Sequence, residues 1–117
     1  MAIYLLEGDE NSLGEIGSIT SMDIELCNIG NMEFDVYVEG MRGKVGLFSY
    51  LYNLGVSPHI GSTIFITNIA MNPEPFSLRI ITNHRAEKHV SFQIRMNNRN
   101  GDIIRLFTEQ QLNKVAD

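Results

Sequence analysis

Residues 22–26 read Met-Asp-Ile-Glu-Leu, apolar and acidic in strict alternation. Residues 34–39 repeat the pattern, with Phe34, Val36 and Val38 of one parity and Asp35, Tyr37 and Glu39 of the other. Successive side chains of an extended chain point to opposite faces, so a period of two predicts two half-buried strands. Between them Asn28, Ile29, Gly30 and Asn31 form a short polar segment containing a glycine, which suits a hairpin loop. The expectation is a paired hairpin that sets Asp23, Glu25, Asp35 and Glu39 on one exposed face beside Tyr37.

Further strands follow from the same reading. Ala2–Leu6 is a short apolar opener, Ser62–Ile69 is rich in Thr, Ile and Phe, and Phe76–Thr82 follows the breaker Pro73-Glu74-Pro75. Residues 89–96 alternate, with Val90, Phe92, Ile94 and Met96 inward and Ser91, Gln93 and Arg95 outward. Asn97–Gly101 contains Asn100-Gly101, a favoured turn dipeptide, and Asp102–Phe107 then returns as the partner strand.

Two stretches carry a helical signal. Thr108 and Gln111 have the spacing of a capping box, with Leu112 and Val115 as a thin apolar stripe running on through Ala116. In Gly46–Leu54 the residues Leu47, Tyr50, Leu51 and Leu54 fall at helical spacing, and Gly55 stands where a helix would end. The same stretch also alternates Phe48, Tyr50 and Tyr52, and Arg42-Gly43 could turn a hairpin into a strand over residues 44–52; helix is the favoured reading. The predicted fold is mainly β, a small antiparallel β-barrel or sandwich of about seven strands with one or two short helices, an α+β arrangement being the alternative. One domain over residues 1–117 is expected, because there is no internal repeat, low-complexity tract or linker.

Composition then narrows the class. With 44% hydrophobic and 20% charged residues and one cysteine, the chain is neither a disordered tail nor a disulfide scaffold. No apolar run approaches the ~20 residues that span a bilayer, and Met1–Glu7 lacks the basic flank of a signal peptide. A cytoplasmic location and no membrane partner are expected. Charge is unevenly distributed: residues 1–41 hold nine acids and no Lys or Arg, whereas residues 42–117 hold nine bases and five acids. Either the two parts pack together and neutralise each other, or an acidic surface is presented to a basic partner.

Catalytic chemistry is not advertised. Cys27 has no basic neighbour to activate it, and Ser49 lacks the Gly-x-Ser-x-Gly elbow. His84 and His89 stand five apart with no Cys cluster beside them to complete a zinc site, and His59 is isolated. Glu7-Gly8-Asp9-Glu10-Asn11 offers oxygen ligands without the twelve-residue calcium-loop pattern, and Gly40, Gly43 and Gly46 lack the Lys-Ser or Lys-Thr of a phosphate-binding loop. No catalytic residue, metal ligand or cofactor is assigned, and the chain is read as a non-enzyme. Arg79, Arg85, Lys88, Arg95, Arg99 and Arg105, with Phe65, Phe76 and Phe92 as stacking groups, would be the resources of an oligonucleotide-binding barrel. Phe76 and Phe92, however, share the inward parity of their strands.

Residues Leu51–Ile66, Leu-Tyr-Asn-Leu-Gly-Val-Ser-Pro-His-Ile-Gly-Ser-Thr-Ile-Phe-Ile, resemble the helix, Gly-x-x-Pro turn and strand of the SH3-like domain in ferrous-iron transport accessory proteins. The likeness covers about a seventh of the chain and leaves the acidic residues 1–41 without a counterpart. It implies a small barrel and carries no function. The functional expectation is an acidic protein-binding module, such as an adaptor, assembly protein or inhibitor, docking on a larger basic partner through Asp23, Glu25, Asp35, Tyr37 and Glu39. A phage or mobile-element inhibitor of a nucleic-acid-handling complex is one form of it. The alternative is nucleic-acid binding through the basic half.

Overall fold

The computed structural model describes residues 2–9, 16–56, 62–72, 74–83 and 90–116. Nine strands occupy most of them: β1 Ala2–Gly8, β2 Ser21–Asn28, β3 Phe34–Arg42, β4 Val45–Leu54, β5 Thr63–Ala70, β6 Phe76–Thr82, β7 Val90–Asn97, β8 Ile103–Thr108 and β9 Asn113–Ala116. They form two antiparallel sheets, one of five strands in the order β4-β3-β6-β1-β9 and one of four in the order β5-β2-β7-β8. The pairs β3–β4, β2–β5 and β1–β6 are nested in the chain and alternate between the sheets. A two-stranded ribbon folded over on itself winds this way, as in jelly rolls. The result is a sandwich, not a closed barrel.

Alternation explains the core. Met22, Ile24 and Leu26 of β2 and Val90, Phe92, Ile94 and Met96 of β7 face Tyr4, Val36, Val38, Leu78 and Ile80 of the other sheet, and all are buried. The Tyr4 and Phe92 rings meet edge to face, centroids 4.9 Å apart, and so tie the layers together. The β7–β8 hairpin forms as its sequence predicts. Gly101 takes φ 84°, a left-handed conformation that suits glycine, and the Asn98 side-chain oxygen accepts from the Asn100 and Asp102 amides at 3.0 Å each.

Three expectations are corrected. β2 and β3 do not pair: β2 lies between β5 and β7 of one sheet, and β3 lies between β4 and β6 of the other. Each has an apolar face that needs covering, and the two faces meet across the core instead of lying side by side. This crossing also avoids setting four like charges edge to edge. Asn28 secures it. Its side chain is fully buried, donates to the carbonyls of Met32 at 2.8 Å and Leu54 at 3.2 Å, and accepts from the Gly30 amide at 2.9 Å.

Residues 46–54 are strand and not helix. Gly43, at φ 60°, turns β3 into β4, which then pairs with β3 from Arg42 and Val45 to Phe34 and Leu54. The aromatic alternation outweighs the helical spacing because pairing supplies a partner strand at once, whereas an isolated helix of this length nucleates poorly. The helix that the SH3-like resemblance requires over residues 51–54 is therefore absent.

The C-terminal segment is also extended. The capping chemistry forms, since the Thr108 amide donates to Gln111 Oε1 at 2.7 Å and the Gln111 amide to the Thr108 carbonyl at 3.0 Å. It closes one turn only. With Leu112 buried and little else apolar to follow, residues 113–116 gain more by hydrogen-bonding to the edge of β1 as β9. The described residues thus hold nine strands instead of about seven, and a 3-10 turn lies at Ile16–Ser18.

Candidate functional site

The five expected partner-binding residues separate into two sets. Asp35, Tyr37 and Glu39 point outward from β3 on the five-stranded sheet, and Asp23 and Glu25 point outward from β2 on the four-stranded sheet. They lie on opposite surfaces of the sandwich, so a single five-residue face does not exist.

Most of these acids are already engaged. Asp23 accepts from the Asn68 amide at 2.8 Å and from Asn97 Nδ2 at 3.1 Å, holding Asn68 in its left-handed conformation and linking β5 to β7. Asp35 accepts from Asn53 at 2.9 Å and from Asn83 at 3.3 Å, clamping β3 to β4 and to the end of β6. Glu39 accepts from the Tyr37 hydroxyl at 3.0 Å and pairs with Arg79 at 2.5 Å. Glu25 alone among them makes no hydrogen bond or ion pair to a described residue. The acidic residues 1–41 and the basic remainder therefore interleave: β6 brings Arg79 beside Glu39, and β7 brings Arg95 opposite Asp23.

The outer face of the five-stranded sheet carries a feature that the alternation of any one strand does not reveal. Register places Leu51 opposite Tyr37, Tyr37 opposite Ile81, and Ile81 opposite Ile3, so one row of apolar and aromatic side chains crosses β4, β3, β6 and β1. Adjacent strands lie about 4.8 Å apart, which makes the row roughly 14 Å long. Leu51 is 71% exposed, and Tyr37, Ile81 and Ile3 are half-buried. The neighbouring row reads Ser49, Glu39, Arg79 and Leu5. Hollows of about 230 and 270 Å³ lie on this side, both lined by Glu39 and Met41. Ser49, the hydroxyl considered as a nucleophile, is exposed here opposite Glu39.

The four-stranded sheet presents a different surface. Its outward rows are Phe65, Glu25, Gln93 and Thr108, and Asp23, Arg95 and Leu106, a mixture of charge, amide and isolated apolar groups. Cys27 is half-buried there, accepting from the Thr63 hydroxyl at 3.3 Å. Phe65 is exposed, whereas Phe76 and Phe92 are buried, as their parity predicts. Of the cations named for nucleic-acid binding, the four described are dispersed: Arg79 on one outer face, Arg95 on the other, Arg99 at the tip of the β7–β8 hairpin and Arg105 on the edge strand β8. His59, His84, His89, Arg85 and Lys88 lie outside the described residues, as do Glu10 and Asn11 of the first acidic run.

A further cavity of about 330 Å³ opens between β4 and β5, lined by Arg42, Phe48, Tyr50, Ile69 and Met71 among others. Among the described residues no group of three or more His, Cys, Asp and Glu could hold a metal ion, and no helix is long and apolar enough to cross a membrane. No protein-family model, curated protein or solved structure matches the chain.

The alternation of β3 marks Tyr37 and its acidic neighbours as outward, whereas no alternation within a single strand marks Leu51, Ile81 and Ile3. Ile80-Ile81 carried a signal: in a strand, two adjacent apolar residues cannot both face the core. Leu51 was hidden by the helical reading of its segment.

Proposed function

We propose that the protein is a non-enzymatic binding module that docks on a larger protein through the outer face of its five-stranded sheet. The observation that supports this is the row Leu51, Tyr37, Ile81 and Ile3. A sheet face turned to water ordinarily alternates to polar residues, and a contiguous apolar strip with a tyrosine at its middle and charge at its rim has the anatomy of an interface. Tyr37 is suited to be the anchor, because its hydroxyl is already fixed by Glu39 and little rotamer entropy remains to be lost on binding.

Charge selects the partner. Glu7, Asp35 and Glu39 project on this face against Arg79, which Glu39 already engages, so the surface is acidic. A basic partner would be steered toward it, and complex formation would weaken as salt rises. Asp23 and Glu25, on the other surface, are outside the proposed interface; Asp23 has a structural task in holding β5. The interface needs no catalytic group.

The test is side-chain footprinting of the tagged protein, alone and with the partner co-purified from its native host. Tyr37 and Leu51 should lose reactivity on binding while Phe65 and Leu106, on the opposite surface, keep theirs. Protection of Phe65 and Leu106 with Tyr37 unchanged would refute the assignment. Protection of the opposite face by a single-stranded oligonucleotide in place of a protein would favour the nucleic-acid reading.

A further inference from the structure

β4 is the longest strand described and lies at a sheet edge. Val45–Leu54 contains no charged residue and no proline, and among the described residues no strand pairs with its outer edge. Sheet edges expose unpaired backbone donors and acceptors, and folded proteins blunt them with charge, brevity or irregularity. The other three edges in this protein are blunted in these ways. β8 carries Arg105, β9 has four residues including Lys114, and β5 is broken by a register shift and by Asn68 at φ 57°. In β4 the one irregularity, an extra residue near Leu47, lies at its start and leaves Phe48–Leu54 in continuous register with β3.

The regular part of β4 is also symmetric. Phe48-Ser49-Tyr50-Leu51-Tyr52-Asn53-Leu54 reads the same from either end in chemical class: apolar, polar, tyrosine, leucine, tyrosine, polar, apolar. Antiparallel strands set residues of one face directly opposite each other. A two-fold axis through Leu51 therefore matches Tyr50 with Tyr52 and Ser49 with Asn53 of a second copy. Leu51, the most exposed large hydrophobic residue described, would then lie against its own counterpart. The Leu54 carbonyl is already held by Asn28, so the free stretch runs to Asn53. Phe48, Tyr50 and Tyr52 are half-buried on the inner side, with Tyr50 and Tyr52 stacked at 6.1 Å, and a second β4 would extend this aromatic stack.

Charge does not oppose the pairing. The acids nearest the axis are Asp35 and Glu39 on β3, and the two β3 strands would be three strand spacings apart, about 14 Å. That exceeds the screening length of about 8 Å at physiological salt.

We infer that β4 pairs antiparallel with β4 of a second copy about a two-fold axis at Leu51, joining two five-stranded sheets into one. A self-complementary contact of this kind closes at two and grows no further. Because the axis is perpendicular to the sheet, both outer faces lie on the same side, and the apolar rows of the two copies run together through the paired leucines.

Sedimentation equilibrium of the full chain tests this without any partner. The mass of the wild type should rise with concentration from 13.2 kDa toward twice that value and stop there. Leu51→Lys and Leu51→Glu should each remain folded monomers, since like charges would face each other at the axis, and an equimolar mixture of the two should recover the dimer. Ser49→Lys, a second exposed position on the strand, should weaken association, whereas Phe65→Lys on the β5 edge should leave it unchanged. A wild type that stays monomeric to about 1 mM, a Leu51→Lys chain that still dimerises, failure of the mixture to associate, or open-ended growth would each overturn the inference.

Discussion

Glu39 and Arg79 face each other across β3 and β6, with Arg79 Nη2 2.5 Å from Glu39 Oε1 and the Tyr37 hydroxyl on the other carboxylate oxygen. One residue comes from residues 1–41, whose charged side chains are all acids, and the other from the basic remainder, so the charge division along the chain is partly cancelled by the topology. Glu39 is the more buried of the two, at 17% side-chain exposure against 46% for Arg79. Partly exposed pairs contribute modestly. Arg79→Ala should therefore cost no more than about 1 kcal/mol, and the cost should shrink in high salt; equilibrium unfolding at two ionic strengths measures both.

Neutralising Asp23, Glu25, Asp35 and Glu39 together, as Asn or Gln, tests whether these acids repel one another or hold the fold. Three of the four accept hydrogen bonds that an amide can satisfy only in part: Asp23 from Asn68 and Asn97, Asp35 from Asn53 and Asn83, and Glu39 from Tyr37 and Arg79. The quadruple variant should lose about 1–3 kcal/mol. A melting temperature above that of the wild type would show that repulsion dominates.

Core parity gives a sharper number. Ile94 and Val36 are fully buried on facing sheets. Ile94→Ala should destabilise by about 2–5 kcal/mol and Val36→Ala by somewhat less. Denaturant unfolding in which both lose less than about 0.5 kcal/mol, the scale of a surface change, would contradict the register.

Gly40 lies under an aromatic ring. A Cβ at this position would stand 2.4 Å from the Phe48 ring, directly opposite on β4. Gly40→Ala should cost about 1–3 kcal/mol by overpacking, and Phe48→Leu in the same chain should recover part of it. A double-mutant cycle with no coupling between the two positions would show that the ring moves aside freely.

Asn28 is the polar residue most deeply committed to the crossing between sheets. Asn28→Ala would leave the Met32 and Leu54 carbonyls and the Gly30 amide without this partner, at about 1–3 kcal/mol. Asn28→Asp should be worse, since it removes the donors and buries a charge. Thermal melts of the two variants check the order.

How far the fold could be read from the chain depended on where the information lay. β2, β3, β6 and the β7–β8 hairpin were legible because Met22–Leu26, Phe34–Glu39 and Val90–Met96 alternate and Asn100-Gly101 specifies its own turn. Which strands pair was not legible, since alternation states that a face is buried and leaves open whether its cover lies beside it or across the core. β4 was misread because Leu47, Tyr50, Leu51 and Leu54 satisfy helical spacing, and only pairing with β3 decides against it. The same gap hid the candidate surface. Leu51, Tyr37, Ile81 and Ile3 are scattered through the sequence and become a row only through the register of four strands.

The most direct measurement of the proposed docking face is the affinity of the purified partner for three chains: wild type, Tyr37→Lys with Ile81→Lys, and Glu25→Lys. All three substitutions are outward, so each chain should fold as the wild type does by circular dichroism. The Tyr37 and Ile81 pair of changes should weaken binding by more than about tenfold, a loss above 1.4 kcal/mol, while Glu25→Lys on the opposite surface leaves it unchanged. Binding that survives in the Tyr37 and Ile81 variant and is lost in Glu25→Lys would place the interface on the four-stranded sheet and rule out docking through the row at Tyr37.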